Sequence, residues 1–418
     1  MNTNFKDSGI PWIGQIPKHW EIKRLKFILN ERKENNKPVK TDFILSLTNE
    51  KGVIPYSEKE AQGNISKDDI TGYKLAYPND IILNSMNVVI GSVGLSSYFG
   101  AISPVYYALY SKENSNIKFY NYVFQTSVFQ NSLKGLGNGI LEIRMRIPMS
   151  NLNNVFLPYP PLNEQKEIAE FLDKKCEIID KRLSNLERKI KSLKEYKKSL
   201  ISECVTKGLN PKILKFKDSG IPWIGQIPKH WKIKKGKYIF TNPQKPVLET
   251  DEVITCFRDG EVTLRSKRRE DGFTISLKEI GYQGIDAGDL AIHGMDGFAG
   301  AIGISEYRGK CSPVLNILET KNSKKFYMYF LRSMAYNGVF EALSTGIRVR
   351  TCDTNWAKIK NIVYLVPPLN EQKEIAEFLD KKCEKIDRLN ENYTKQITAL
   401  KEYKKSLIYE CVTGKKEI

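Results

Sequence analysis

Two stretches of the chain carry apolar residues at steps of three and four positions, the spacing of one face of a coiled-coil helix. A stripe this narrow cannot bury itself, so each helix requires a partner helix. About 42 residues at ~1.5 Å each predict a rod of roughly 60 Å. Lys197 and Lys404 fall on the stripe, where their long stems can reach water or where the stripe could open to another protein. The apolar positions are Leu172, Cys176, Ile179, Leu183, Leu186, Ile190, Leu193, Leu200 and Cys204 in the first stretch, and Leu379, Cys383, Ile386, Ile397, Leu400, Leu407 and Cys411 in the second.

Each stretch opens in the same way. A Pro-Pro pair ends the irregular chain, Asn163 or Asn370 offers an N-cap, and no Pro or Gly follows until Gly208 in the first stretch. Parallel pairing of the two helices would require the intervening domain to run back along the whole rod. We therefore expect the helices to pair antiparallel.

The helix openings belong to a long internal repeat. Residues 5–20 recur letter for letter as 216–231, and residues 160–177 recur as 367–384. A period of this length is too long for a solenoid, so each copy must contain a whole domain. The predicted boundaries are 1–158 for a loop and first domain, 159–208 for a helix, 209–365 for a loop and second domain, and 366–418 for a second helix.

Between the repeats, each half holds short β-rich runs interrupted by glycines, which predicts compact α+β domains. Residues 79–105 align with 288–314 without a gap and share several glycines. The expected fold is α+β: two globular domains separated by two long antiparallel coiled-coil helices in a pseudo-twofold tandem repeat.

Charge narrows the class of partner. The 418 residues hold 66 Lys and Arg against 48 Asp and Glu, a net charge of +18 spread along the chain. This favours a polyanionic partner, although a lysine-rich soluble protein would show the same excess. No apolar run suggests a leader or membrane span, and seven cysteines without a C-x-x-C pair indicate free thiols. We expect a cytoplasmic protein that does not contact membranes.

Together, the Trp-Ile-Gly-x-Ile-Pro-x-His-Trp loops and the Pro-Pro-Leu-Asn-Glu-Gln-Lys-Glu-Ile-Ala helices, each flanking a variable domain, resemble the specificity subunit of type I restriction-modification systems. The resemblance implies two target-recognition domains that each read half of a split double-stranded DNA site, with the helices as a ruler. It also implies docking of two methyltransferase subunits, and of restriction subunits through them. S-adenosylmethionine, ATP and magnesium are expected on those partners, with no cofactor on this chain. The repeated loops suggest Trp12, Trp20, Trp223 and Trp231 as partner-docking residues.

Catalytic motifs are missing from the sequence. The Pro-Pro pairs lack the Asp, Asn or Ser and the aromatic residue of an amino-methyltransferase, and no phosphate-binding loop occurs. No cysteine or histidine spacing indicates a metal site. We therefore expect a non-catalytic subunit of a complex that cleaves and methylates DNA.

Candidate DNA-binding residues are cations and amides near glycine turns. Arg144 and Arg146 come a few residues after Gly139, and Arg348 and Arg350 come shortly after Gly346. Residues 265–269 form the densest basic cluster, although such a run is often only a solvated surface. The full set comprises Arg144, Arg146, Arg348, Arg350, Arg265, Lys267, Arg268, Arg269, Asn84, Asn87, Tyr98, Lys134, Asn138, His293 and Tyr307, with Asp296 as a further candidate.

Two other functions stay open on the sequence. The chain could be a coiled-coil scaffold that binds only proteins, with its lysines serving solubility. It could also be a nuclease or methyltransferase with an unrecognised site. Steep salt dependence of DNA affinity would separate the first alternative from a DNA-reading subunit, because phosphate neutralisation releases counterions.

Overall fold

A computed structural model describes residues 4–49, 51–59, 69–137, 146–268, 279–342 and 354–418. The chain groups into two compact units: residues 1–187 with 394–418, and residues 188–393. Two long helices contribute to both units, α4 with 46 residues and α8 with 44. The units therefore divide inside the helices, whereas the sequence suggested boundaries at the helix ends.

The first unit is a set of short antiparallel strands packed against helices. Its largest sheet has four strands in the order β4-β11-β8-β9. The strands are β1 Phe5–Asp7, β2 Gln15–Pro17, β3 Glu21–Arg24, β4 Leu29–Glu31, β5 Leu45–Thr48, β6 Gly52–Pro55, β7 Lys74–Ala76, β8 Ile81–Asn84, β9 Val93–Leu95, β10 Gly100–Ile102, β11 Tyr106–Ser111 and β12 Phe156–Tyr159. The helices are α1 Ile117–Gln125, α2 Ser127–Ser132, α3 Met149–Leu152 and the first part of α4 Leu162–Lys207.

The second unit repeats this plan with a three-stranded sheet in the order β20-β19-β22. Its strands are β13 Phe216–Asp218, β14 Gln226–Pro228, β15 Lys232–Lys235, β16 Ile254–Cys256, β17 Val262–Leu264, β18 Gln283–Ile285, β19 Leu290–His293, β20 Ile302–Ile304, β21 Gly309–Cys311, β22 Leu315–Leu318 and β23 Val363–Val366. Its helices are α5 Lys324–Tyr336, α6 Val339–Ala342, α7 Trp356–Ile359 and the first part of α8 Leu369–Val412.

The gapless alignment predicted between the two domains is present in the strands themselves. Strands β8, β9 and β10 begin at residues 81, 93 and 100, and β19, β20 and β21 begin at 290, 302 and 309, always 209 residues later. Each domain pairs these strands with the same antiparallel neighbours. The divergent middle sequences therefore encode one strand plan.

The shared glycines have a steric cause. Gly91 and Gly300 both end a short 3-10 turn with a positive φ, 93° and 97°, which residues with a Cβ rarely adopt. At Gly303 a Cβ would lie 2.0 Å from the carbonyl oxygen of Gly260, and at Gly94 it would lie 3.0 Å from the Cα of Gly52. Close packing of two backbones fixes glycine at these positions.

The core of each unit lies between the main sheet and one amphipathic helix. Helix α1 buries Phe119, Val123 and Phe124 against the sheet, and α5 buries Phe326, Phe330 and Met334 in the same way. Full burial of one such side chain contributes about 1.5–3 kcal/mol. Both helices begin at an N-cap whose side chain accepts a backbone N–H, Asn116 in the first and Ser323 in the second.

Within each unit the two long helices pair antiparallel, as predicted. In the first unit Asp180 of α4 binds Lys404 of α8 at 2.6 Å, and Cys176, four residues earlier, lies beside Cys411, seven residues later. In the second unit Lys197 binds Asp387 at 2.7 Å, and Cys204 lies beside Cys383. The two helices therefore run in opposite directions. We call the apolar stripe along which they meet the seam; its two lysines, Lys197 and Lys404, bind carboxylates on the opposite helix.

The seam cysteines are free thiols. Burial raises the pKa of Cys204 and of Cys411 to about 12, so both remain protonated and pack as small apolar groups. The six cysteines in the described part of the chain are all unbridged and buried.

Candidate nucleic-acid interface

A repeated joint attaches each loop to the start of a long helix. In the first unit the indole N–H of Trp20 donates to Glu164 at 2.8 Å, and His19 lies 2.8 Å from the same carboxylate. In the second unit Trp231 and His230 contact Glu371 at 3.1 and 2.9 Å. One carboxylate at a helix N-terminus thus holds the loop, where the helix dipole favours negative charge.

The next residue fixes the globular domain to the same helix. Gln165 is fully buried; its side-chain oxygen accepts the backbone N–H of Asn116 at 2.8 Å, and its amide donates to the carbonyl of Pro160 at 2.8 Å. Gln372 repeats both contacts, with Ser323 at 3.0 Å and Pro367 at 2.9 Å. Sequence reasoning treated these residues only as a helix opening. Their identity in both copies was the signal that could have revealed the joint.

The tryptophans predicted to dock partners lie mostly inside their own units. Trp20 and Trp231 are 2% and 0% exposed, and Trp12 packs edge-on against Phe129 at 5.2 Å. Trp223 is half-buried against Phe330 at 5.9 Å. Their burial corrects the prediction for Trp20 and Trp231: these indoles anchor the loop to its own helix and offer no exposed surface to a partner.

Asn84 and His293, predicted as equivalent base-reading residues, do occupy equivalent strand ends. The Asn84 side-chain oxygen accepts the backbone N–H of Met86 at 3.0 Å, and His293 Nδ1 accepts that of Met295 at 3.3 Å. Both therefore cap the turn that follows. Asn84 is only 7% exposed, which leaves little of it to reach a base.

His293 retains one hydrogen-bonding group. Burial lowers its pKa, so the ring is neutral near pH 7, and Nδ1 also accepts the backbone N–H of Asp296 at 3.1 Å. The proton of the neutral ring must then sit on Nε2, which can donate to an acceptor. Asp296 itself binds Arg258 at 2.8 Å.

Tyr98 and Tyr307 are also equivalent, and both backbones are held by a serine hydroxyl two residues earlier. Tyr98 is 38% exposed and packs edge-on against Phe43 at 5.9 Å. The Tyr307 hydroxyl accepts a hydrogen bond from Lys267 Nζ at 2.8 Å, and that ammonium lies 4.0 Å from the ring centroid. The Lys267 ammonium therefore lies beside an aromatic face.

The densest basic cluster is partly neutralised by the chain itself. Arg268 binds Asp259 and Glu261, and its guanidinium lies 4.2 Å from the Phe257 ring. The hydrogen bond from Arg268 lowers the pKa of Asp259, so this pair stays ionised. Arg265 is half-buried, with Nε 3.4 Å from the Thr255 hydroxyl. In this cluster Arg268 therefore contributes less free charge than its sequence suggested.

The remaining candidates fall into two groups. Lys134 and Arg146 are exposed, and Asn87 is half-buried at the start of the turn after β8. Arg144, Asn138, Arg269, Arg348 and Arg350 lie outside the described residues, so their predicted roles stay predictions.

Two further findings bear on function. Among the residues that the structure describes, no group of three or more His, Cys, Asp or Glu side chains could hold a metal ion. None of the helices in those ranges combines the length and apolar character that a membrane span requires.

Comparison with known proteins places this arrangement in a family. The family model of the type I restriction modification DNA specificity domain matches residues 17–193. The type I restriction enzyme MjaVIII specificity subunit of Methanocaldococcus jannaschii is 23% identical over 430 residues, which cover 96% of this chain and 94% of that protein. This relative is a specificity subunit, in agreement with the predicted non-catalytic role.

Two solved structures share the fold. A chain from a study of complex assembly and conformational transition of the type I R-M system matches with a TM-score of 0.67 at 12% identity, covering 95% of this chain and 98% of that one. The HsdS subunit of Thermoanaerobacter tengcongensis matches with a TM-score of 0.52 at 13% identity, covering 96% and 98%. Residues 17–193 thus match the type I specificity-domain family, and over nearly its whole length the chain is similar to specificity subunits of type I restriction-modification systems.

Proposed function

We propose that this chain reads a split, asymmetric DNA target, one half-site with each recognition domain, and positions methyltransferase and restriction subunits on it. The chemistry of methylation, translocation and cleavage belongs to those partners, which carry S-adenosylmethionine, ATP and magnesium. This chain contributes sequence recognition, spacing and docking.

One observation carries the proposal: the chain builds the same strand plan twice and gives the copies different side chains. His293 occupies the position that corresponds to Asn84. Tyr98 packs against Phe43, whereas the corresponding Tyr307 binds Lys267. Readers of two different half-sites need this combination, because base edges differ while the groove does not.

The residues we assign to DNA differ between the domains. The first domain offers Tyr98, Lys134 and Arg146, and the second offers Arg265, Lys267, Tyr307 and the Nε2 of His293. The proposed reading arginines Arg144, Arg348 and Arg350, with Asn138 and Arg269, complete the set. Arg and Lys suit phosphates and guanine, whereas tyrosine and histidine suit single hydrogen bonds.

Docking of two methyltransferase subunits requires two matching surfaces. Residues 193–201 of α4 recur letter for letter as 400–408 of α8, and each copy exposes a tyrosine, Tyr196 or Tyr403, that is 54% accessible. Identical exposed segments suit identical partners. We assign docking to these helix surfaces in preference to the buried tryptophans.

The spacer follows from the helices. At ~1.5 Å per residue, 46 and 44 residues rise about 69 and 66 Å, roughly two turns of B-DNA at ~34 Å each. Antiparallel pairing supports a stiff element, because each seam buries apolar side chains and adds a lysine–aspartate pair.

Methylation sequencing tests the proposal. Cells carrying this chain with its partner subunits should show one methylated motif made of two half-sites and a constant gap. Deletion of one heptad from each helix, near residues 187 and 393, removes about 10 Å of spacer and keeps the seam in phase. The expected result is a shorter gap between unchanged half-sites. Altered half-sites with an unchanged gap would contradict the proposal.

A further inference from the structure

Strand β15 and the 3-10 turn after it form a strongly basic surface on the second unit. Lys232, Lys234, Lys235 and Lys237 are all exposed, and Tyr238 is 68% exposed with the Lys237 ammonium 5.0 Å from its ring centroid. Within the described residues, none of these four lysines forms an ion pair. We call these five residues the basic strand face.

The first unit has a counterpart at the same place. After the repeated loop, Lys23, Arg24, Lys26 and Phe27 occupy strand β3 and the turn that follows. Phe27 is 60% exposed, and the Lys26 ammonium lies 5.2 Å from its ring. Here one charge is compensated, because Lys23 binds Glu21 at 3.1 Å.

The backbone beneath both surfaces is held firmly. Strand β15 pairs with β23 over four residues, and the N–H of Lys237 donates to the carbonyl of Lys360 at 2.8 Å. Gly236 allows this contact, because a Cβ there would lie 2.4 Å from the carbonyl oxygen of Ile359. The lysines are thus presented from a fixed strand and turn.

The differences between the basic surfaces on β3 and β15 indicate which kind of partner they bind. Arg24 corresponds to Lys235 and Phe27 to Tyr238, so these side chains have changed while positive charge and one exposed ring remain. The acidic Glu21 corresponds to Lys232, so the second copy has gained a cation there. A protein interface depends on shape, which such exchanges would disturb. Phosphates require only well-placed cations. Large rings left exposed also mark a surface that is used.

We propose that the basic strand face binds the phosphate backbone of duplex DNA without reading its sequence, and that the face on β3 does so more weakly. This inference rests on the proposed function, which it deepens by adding contacts that hold DNA of any sequence. Arg265, Lys267 and the other reading candidates are separate residues. Lysines and the arginine supply the charge, and the rings orient the neighbouring ammonium groups.

The test uses the full-length variant K234Q/K235Q/K237Q and two 40-base-pair duplexes of unrelated sequence, titrated at several salt concentrations. Loss of three phosphate contacts should lower affinity roughly 100-fold near 0.1 M salt and reduce the slope of log affinity against log salt by about 2.7, equally for both duplexes. The variant K23Q/R24Q/K26Q should lose less, because Lys23 is already paired.

Matched controls separate this surface from general charge. K373Q/K381Q/K385Q removes three exposed lysines from α8 in the same unit and should change affinity little. K234R/K235R/K237R keeps the charges and should bind like the unaltered chain. Circular dichroism verifies that each variant is folded.

Four outcomes would overturn the inference. They are an effect no larger than that of the α8 control, a loss confined to one duplex, no binding of either duplex by the unaltered chain, or unchanged DNA affinity with lost co-purification of the methyltransferase subunit. The last result would identify a protein-docking face. A split methylated motif that persists while this test fails would leave the proposed function standing.

Discussion

Two equivalent places in the recognition domains hold opposite chemistry. In the first domain Tyr77 and Phe99 pack ring against ring at 4.9 Å, and in the second the residues 209 positions later, Asp286 and Arg308, form an ion pair at 2.5 Å. All four residues directly adjoin corresponding strand pairs, β7 with β10 and β18 with β21. The strand plan therefore tolerates either solution, whereas the joint at Glu164 and Gln165 recurs without any change.

This contrast separates two kinds of position. The joints contact backbone groups and the helix start, which both copies share, so one set of side chains serves twice. The domain surfaces have diverged in charge, which fits the proposed reading of two different half-sites. Each prediction below changes one copy and uses the other as its reference.

The largest effect should come from a buried carboxylate that the two copies hold differently. Among the described residues, Arg32 is the one cation that binds Asp80, at 2.7 and 3.0 Å, whereas the equivalent Asp289 binds both Lys245 and Lys324. Arg32→Met should destabilise the first unit by about 3–5 kcal/mol, because it leaves a buried charge unpaired. Lys245→Met should destabilise the second by only about 1–2 kcal/mol.

Urea unfolding followed by amide exchange in β8 and β19 measures both effects unit by unit. The double variant R32M/D80N should recover part of the loss, since it removes the orphaned charge. Equal costs for the two single variants would show that Lys324 does not share the role of Lys245.

The joints should respond equally to the same change. Gln165→Ala and Gln372→Ala each remove a buried amide that satisfies one N–H and one carbonyl, at a cost of about 2 kcal/mol. Amide hydrogen exchange should become faster at the start of α1 in the first variant and at the start of α5 in the second. Markedly unequal costs would mean that the two joints are not energetically equivalent.

Acid should destabilise the second unit before the first, whereas the substitutions of Arg32 and Lys245 should affect the first unit more. Hydrogen bonds from Arg308 lower the pKa of Asp251, and those from Lys245 and Arg308 lower that of Asp286. A carboxyl whose pKa is lowered by folding stabilises above its unfolded pKa, near 3.8, and loses that contribution as pH falls through its folded value. In the first unit Lys40 and Tyr77 lower the pKa of Glu34.

On acidification below pH 4, amide protection in the second unit should therefore fail first. The exchange variant D286Y/R308F, which installs the first domain's rings, should reduce this sensitivity. If the acid unfolding midpoint of D286Y/R308F equals that of the unaltered chain, Asp286 and Arg308 are not the cause of the acid sensitivity.

Much of the architecture could be predicted because its signals are periodic or repeated. The seam spacing gave the helix pair, chain connectivity gave its direction, and the gapless alignment gave one strand plan for both domains. These features depend on local pattern or on identity between copies. Both are visible in one sequence.

The contacts of the candidate site were harder to predict from the sequence, because they join residues that are far apart in the chain. Gln165 binds a backbone group 49 residues away, and Arg268 is neutralised by Asp259 only because a hairpin brings them together. The sequence of β15 did not predict that the whole strand is exposed either, because Ile233 interrupts its lysines as a buried position would. In the described structure β15 pairs with β23 in a two-stranded sheet, which leaves all four of its residues exposed.

Exchange of one recognition domain tests the central claim most directly. Residues 21–159 of the first domain would replace 232–366 of the second, between repeats that are already identical, in cells that carry the partner subunits. Methylation sequencing should then show a twofold-symmetric motif, the first half-site and its inverted copy, at the original gap. A folded, methylation-competent chimera that still marks the original asymmetric motif would contradict the account.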